Sequence, residues 1–162
     1  MKLLNSLSTF CNTWVERSLG ALGIAMASVV ILQVVYRYVL NNSLFWSEEL
    51  ARYLLVWLTF LGASSAYHRR VHPGIDLLTS RLPDSISTAL SLLVHSISLC
   101  LFAVMIYHGT LFAYFVRMQI SPAMAIPKWI IFSAIPLGGM LMALHCLSFI
   151  ITTLSGLRHH DR

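Results

Sequence analysis

Three histidines stand inside long uncharged stretches, and they are the first residues whose type could do chemistry. Asp84 and Arg117 bracket 32 uncharged residues that hold His95 and His108, and Lys128 and Arg158 bracket 29 that hold His145. His95 lies 11 residues past Asp84 and His145 lies 13 before Arg158. On helices, each falls roughly 16–20 Å from that end. Two antiparallel helices would bring these imidazoles level, and a level pair of neutral imidazoles can ligate a haem, as in the membrane anchor of a redox complex. The plainer use is a hydrogen bond from each histidine to a neighbouring helix. Three histidines also fall short of the four ligands that a two-haem bundle needs.

The second constellation is Trp46, Glu48, Glu49 and Arg52. Glu48 and Arg52 are four apart and Glu49 and Arg52 three apart, so on a helix either carboxylate can neutralise the guanidinium. The trio is either an ion pair with another subunit or a charge balance within the chain. His72 and Asp76 flank a turn, where they cap the following helix or meet a partner. The residues of catalysis are missing: the sequence has no G-x-S-x-G, no Walker motif and no glycine-rich phosphate loop. Cys11, Cys100 and Cys146 are far apart and make neither a zinc site nor a disulfide framework. Catalytic, cofactor and metal sites are therefore all expected to be absent, and the chain is not expected to be an enzyme.

These residues need elements to position them, and composition dictates which kind. The 162 residues are 57% hydrophobic and 10% charged, with mean hydropathy +0.76. That is too little polar surface for a water-soluble domain. The net charge of +5 does not point to nucleic acid, because the eleven Lys and Arg sit singly or in pairs between apolar runs, as membrane topology requires. The expected fold is an all-α integral membrane protein with four transmembrane helices, an N-terminal amphipathic interfacial helix and both termini cytoplasmic.

The single membrane domain, 1–162, divides as follows. Residues 1–17 form the interfacial helix, with Leu3, Leu4, Leu7, Phe10 and Trp14 on one stripe and Asn5, Ser8, Asn12 and Glu16 elsewhere. Residues 18–40 form span 1, an uncleaved helix whose Gly20, Gly23 and Ala27 share a close-packing face. Span 2, 46–68, takes its charges into the first turns because the charge-free stretch Tyr53 to Tyr67 is too short to cross. Trp46 anchors it, Ser47 caps it, and the glutamates favour its N-terminus. Spans 3 and 4, 85–116 and 129–155, are long single passes. Pro136 should bend the fourth, and Gly138 and Gly139 allow close approach there. With the N-terminus inside, the inner segments hold seven Lys and Arg and the outer ones four, which favours cytoplasmic termini. Spans 1, 3 and 4 carry no Asp or Glu, the usual lining of proton and cation paths. The chain is also too short for the inverted repeats of a secondary transporter. A bundle without a pathway reads as a support for another protein's pathway.

Trp46-Ser47-Glu48-Glu49-Leu50-Ala51-Arg52-Tyr53, followed by Val56-Trp57-Leu58-Thr59-Phe60-Leu61-Gly62-Ala63, resembles the hallmark of a known family. The family is the small membrane subunit, DctQ-like, of tripartite ATP-independent periplasmic (TRAP) transporters. His72-Pro73-Gly74-Ile75-Asp76-Leu77-Leu78 is similar to its cytoplasmic H-x-x-[IV]-D-x-L element, with Pro73 in place of the usual β-branched residue. Ser121-Pro122-Ala123, Ile126-Pro127-Lys128-Trp129 and Ile135-Pro136-Leu137-Gly138 resemble its entry into the last helix. The resemblance runs in order from about 46 to 147.

It implies a small scaffold subunit of a sodium-driven, binding-protein-dependent importer of organic acids, of the C4-dicarboxylate, keto acid or sialic acid type. It also implies the bacterial inner membrane, a large TRAP membrane subunit that carries the substrate and sodium sites, and a periplasmic substrate-binding protein. Trp46, Glu48, Glu49, Arg52, His72 and Asp76 are then the candidates for subunit contact. The transported solute is set by the binding protein and is not written in this chain.

Overall fold

A computed structural model describes residues 2–69 and 84–160, with side chains for 4–69 and 86–154. The described elements are α1 (Lys2–Tyr38), α2 (Phe45–His68), α3 (Asp84–Phe115), the single turn α4 (Trp129–Phe132) and α5 (Ala134–His160). Helix α1 packs along α2, α2 packs on α5, and α5 packs on α3. Among the described residues, three stretches are long and apolar enough to cross a membrane: Leu4–Tyr38, Ile86–Phe115 and Trp129–Leu154. The 24 residues of α2 would reach about 36 Å, but Glu48, Glu49 and Arg52 crowd its first two turns.

The expected division at Arg17 between an interfacial helix and a first span is not a break in the chain. Helix α1 is continuous over 37 residues, about 55 Å, because no proline or turn signal separates Glu16 from Ser18. Its expected apolar stripe does face outward, with Leu7, Phe10 and Trp14 exposed. The opposite, polar side does not face water. Ser8 and Asn12 are buried with Val15, against the last turns of α2 and the second half of α5.

Two further details differ from expectation. Ser47 does not cap α2: the helix begins at Phe45 with Leu44 at the cap position, and the buried Ser47 hydroxyl donates back to the Leu44 carbonyl at 2.8 Å. The bend expected at Pro136 appears three residues earlier, as the break at Ser133 between α4 and α5. Proline is tolerated in the first turn of α5, where its missing N–H costs least.

The expected close approach at Gly138 and Gly139 is present. A Cβ on Gly138 would lie 2.9 Å from the Phe60 Cβ, and one on Gly139 would lie 3.1 Å from the Ile106 side chain. These glycines let α5 seat between α2 and α3, around a core of Tyr67, Phe102, Met142 and Cys146. Gly20 and Gly23 behave differently. No described residue lies within 4 Å of where their Cβ atoms would be, so the close-packing face expected of span 1 is not used among the described residues.

Candidate functional site

The candidate residues on α2 separate into an exposed pair and a buried carboxylate. Successive residues on a helix point about 100° apart, so Glu48 and Glu49 cannot share one environment. Glu48 lies outside, 3.8 Å from the Arg52 guanidinium, and the two side chains are 69% and 67% exposed. Trp46 is also at the surface. Glu49 turns inward and is only 4% exposed. It accepts the backbone N–H of Ala123 at 2.8 Å and the hydroxyl of Tyr53.

The segment that Glu49 holds is an antiparallel turn between α3 and α4. An Ile120–Pro127 bridge closes it. The Ser121 N–H donates to the Ile126 carbonyl at 2.9 Å, and the Lys128 N–H donates to Gln119 at 2.9 Å. Ala125 sits at φ 54°, a left-handed conformation that costs a non-glycine residue energy and persists only when its surroundings fix it. The Ser121 hydroxyl, which accepts the Ile126 N–H at 3.2 Å, and the Glu49 carboxylate supply that constraint. Of the three charged candidates, Glu49 organises the chain itself, whereas Glu48 and Arg52 are free to meet another surface. His72 and Asp76 lie outside the described residues.

Two of the three candidate histidines, His95 and His145, fall into a polar seam near the other end of the bundle, whereas His108 is exposed on α3. Cys146 donates to the His95 carbonyl at 3.1 Å, so α3 and α5 do meet at the level expected from the residue count. The two imidazoles nevertheless take separate partners. His95 Nδ1 is 2.8 Å from the Tyr67 hydroxyl of α2. The fully buried His145 has its Nδ1 2.7 Å from the Ser8 hydroxyl of α1 and its ring 4.7 Å from that of His68. His68 Nδ1 lies 3.3 Å from the same hydroxyl.

The seam continues along α1. Asn5 accepts from Ser148 at 2.5 Å. Glu16 accepts from Asn12 at 2.7 Å, from Ser65 at 3.3 Å and from Arg69 at 2.9 Å. Sequence reasoning missed Ser8, Asn12, Glu16 and His68 as contact residues. Their signal was the spacing of four between Ser8, Asn12 and Glu16, which puts them on one helical face. Such a face reads equally as a side turned to water. Most of these bonds tie one helix to another: Ser8 to His145, Ser65 to Glu16, Tyr67 to His95 and Ser148 to Asn5, which is the work of a structural interface.

Comparison with known proteins agrees with that reading. Residues 26–156 match the family described as tripartite ATP-independent periplasmic transporters, DctQ component. The chain is 26% identical over 153 residues to a protein of Haemophilus influenzae assigned as a TRAP transporter small permease, covering 94% of each. It is 32% identical over 152 residues to the C4-dicarboxylate TRAP transporter small permease protein DctQ of Rhodobacter capsulatus, covering 90% of this chain and 64% of that one. It is 26% identical over 135 residues to the isethionate TRAP transporter permease protein DctMQ of Oleidesulfovibrio alaskensis, covering 76% of this chain but only 21% of that longer permease. With four-fifths of its length inside the family match and its buried polar residues joining helices to one another, the chain belongs to the DctQ family, the small permease component of TRAP transporters.

Proposed function

We propose that this chain is the small scaffold subunit of a sodium-driven, binding-protein-dependent importer of organic acids in a bacterial inner membrane. In this reading α2 is a fourth span, both termini are cytoplasmic, and the N-terminal part of α1 lies at the membrane interface. The large TRAP subunit carries the substrate and sodium, and a periplasmic binding protein delivers the solute. The observation that carries the reading is the use of the buried polar groups. Ser8, His145, Ser65, Glu49 and Tyr67 are engaged between elements of this chain, and spans 1, 3 and 4 contain no carboxylate that could bind a cation in transit.

Two relatives support the partner and the solute class. The DctMQ relative contains a region similar to this chain within one longer permease, as expected if the two parts work together. The solutes named for these two relatives, a C4-dicarboxylate and isethionate, are both organic acids. Trp46, Glu48 and Arg52 remain at the surface as a contact for a partner subunit, with His72 and Asp76 proposed for the cytoplasmic side.

The test is reconstitution of the large subunit and binding protein in liposomes, with and without this chain, under an imposed sodium gradient. Uptake is expected to need all three proteins, and the small chain alone should transport nothing. Undiminished uptake without it would overturn the proposal.

A further inference from the structure

Three polar atoms where α1, α2 and α5 meet are buried and lack a hydrogen-bond partner among the described residues: Asn12 Oδ1, Ser64 Oγ and His145 Nε2. Their residues are 7%, 0% and 0% exposed. Each unmatched atom in such a place costs stability, and folded chains leave few of them. The direction of the Asn12 amide is fixed by its other contact. Its Nδ2 donates to the Glu16 carboxylate at 2.7 Å, and that carboxylate, paired with Arg69 at 2.9 Å, only accepts. The amide oxygen therefore turns the other way, as an acceptor in need of a donor.

The printed contacts of neighbouring residues put these three at one level. Asn5 meets Ser148 and Ser8 meets His145, so α1 runs antiparallel to α5. Asn12, one turn beyond Ser8, then falls level with the turn of α5 before His145. Side chains lean toward the N-terminus of their own helix, which carries the His145 ring up to that level and the Asn12 amide back toward it. Ser8 also lies 3.3 Å from His68, and Ser64 is one turn before His68 on the same face of α2. Ser64 therefore stands beside Asn12. Glu16 sets the same register, since it accepts from both Asn12 and Ser65.

We propose that these three atoms bind one internal water molecule, which joins α1, α2 and α5. Buried waters in proteins hold about three hydrogen bonds, to polar groups that have no other partner. Asn12 Oδ1 takes one hydrogen of the water, and the Ser64 hydroxyl rotates to give or take another bond. His145 explains why a water suits this place better than a fixed side chain. The Ser8 hydroxyl has a single proton and two imidazole Nδ1 atoms, those of His145 at 2.7 Å and His68 at 3.3 Å. Which of them it serves decides whether His145 carries its proton on Nδ1 or on Nε2. A water donates to a bare Nε2 and accepts from Nε2–H, so it matches both tautomers. The site is a polar joint within this chain and does not depend on the subunit reading.

The deciding measurement is an experimental structure of the wild-type protein, in lipid, at a resolution that shows ordered water. A density peak about 2.7–3.2 Å from all three atoms is the expected result. Side chains that instead turn to bond one another, with no density between them, overturn the proposal. A double-mutant cycle of Asn12→Leu and Ser64→Ala, read by unfolding in mixed micelles, tests the linkage separately. Either change takes a partner from the water, so the second should cost less in the presence of the first. The folding constant of the double variant should exceed the product of the two single losses by about threefold, one average hydrogen bond between membrane helices. Losses that simply multiply overturn the shared site. The cycle is repeated with sodium replaced by choline. Stabilisation by sodium that vanishes in Asn12→Leu identifies the occupant as a cation and overturns the water. If Asn12→Leu fails to fold, the wild-type structure decides alone.

Discussion

The Glu49 carboxylate and the Ala123 N–H, 74 residues apart in sequence, are joined at 2.8 Å. Through this bond the first turns of α2 fix the turn that leads from α3 into the last helix. Both partners lie in segments that resemble the family hallmark, the Trp46–Tyr53 stretch and the Ser121-Pro122-Ala123 stretch. The bond gives a physical reason for finding both motifs in one chain: one supplies the acceptor and the other the backbone donor. Removing the acceptor takes this partner from both the Ala123 N–H and the Tyr53 hydroxyl.

Glu49→Ala should therefore lower the thermal stability of the purified protein clearly, whereas Glu48→Gln should leave it nearly unchanged, because exposed ion pairs contribute little. Unfolding followed by circular dichroism in detergent separates the two. Equal losses would show that Glu49 does not latch the turn.

The exposed pair should show the reverse pattern. The double change Glu48→Gln with Arg52→Gln should leave melting temperature unaltered but reduce uptake by the reconstituted transporter, if this face meets a partner subunit. Normal uptake and normal pull-down of both partners by the double variant would reduce the pair to a local charge balance.

Ser8→Ala deprives the buried Nδ1 of His145 of its hydroxyl. The expected loss is about 0.6 kcal/mol, the average for hydrogen bonds between membrane helices, and at most about 1.7 kcal/mol. Ser28→Ala, whose hydroxyl only returns to its own helix, is the matched control. Unfolding in mixed micelles that costs both variants the same would remove the special role of the Ser8–His145 contact.

Glycine positions offer a fourth contrast. Gly138→Val drives a branched side chain into Phe60 and should destabilise the isolated chain by about 1–3 kcal/mol, the usual cost of overpacking. Gly23→Ala meets open space and should be close to neutral for the isolated chain. Comparable destabilisation of both would contradict the packing described for α1 and α5.

Which parts of this were legible in advance follows from what each kind of signal depends on. The apolar stretches of α1, α3 and α5 were readable because hydrophobic length is a local property, checked residue by residue against membrane thickness. The level match of α3 and α5 was readable by counting from their charged ends. The close approach at Gly138 and Gly139 was readable from residue type, although the same argument applied to Gly20 and Gly23 found no neighbour. Small residues permit close packing without specifying a partner.

Tertiary structure alone decided which of two adjacent glutamates faces inward. Glu48 and Glu49 are chemically identical, and only the position of the 119–128 turn distinguishes their directions. It also decided that the Ser8, Asn12 and Glu16 side of α1 meets protein. A polar stripe is stabilised equally by water or by donors and acceptors on another helix, and the Ser65, His68, Arg69 and His145 groups that complete it are 49 to 137 residues away.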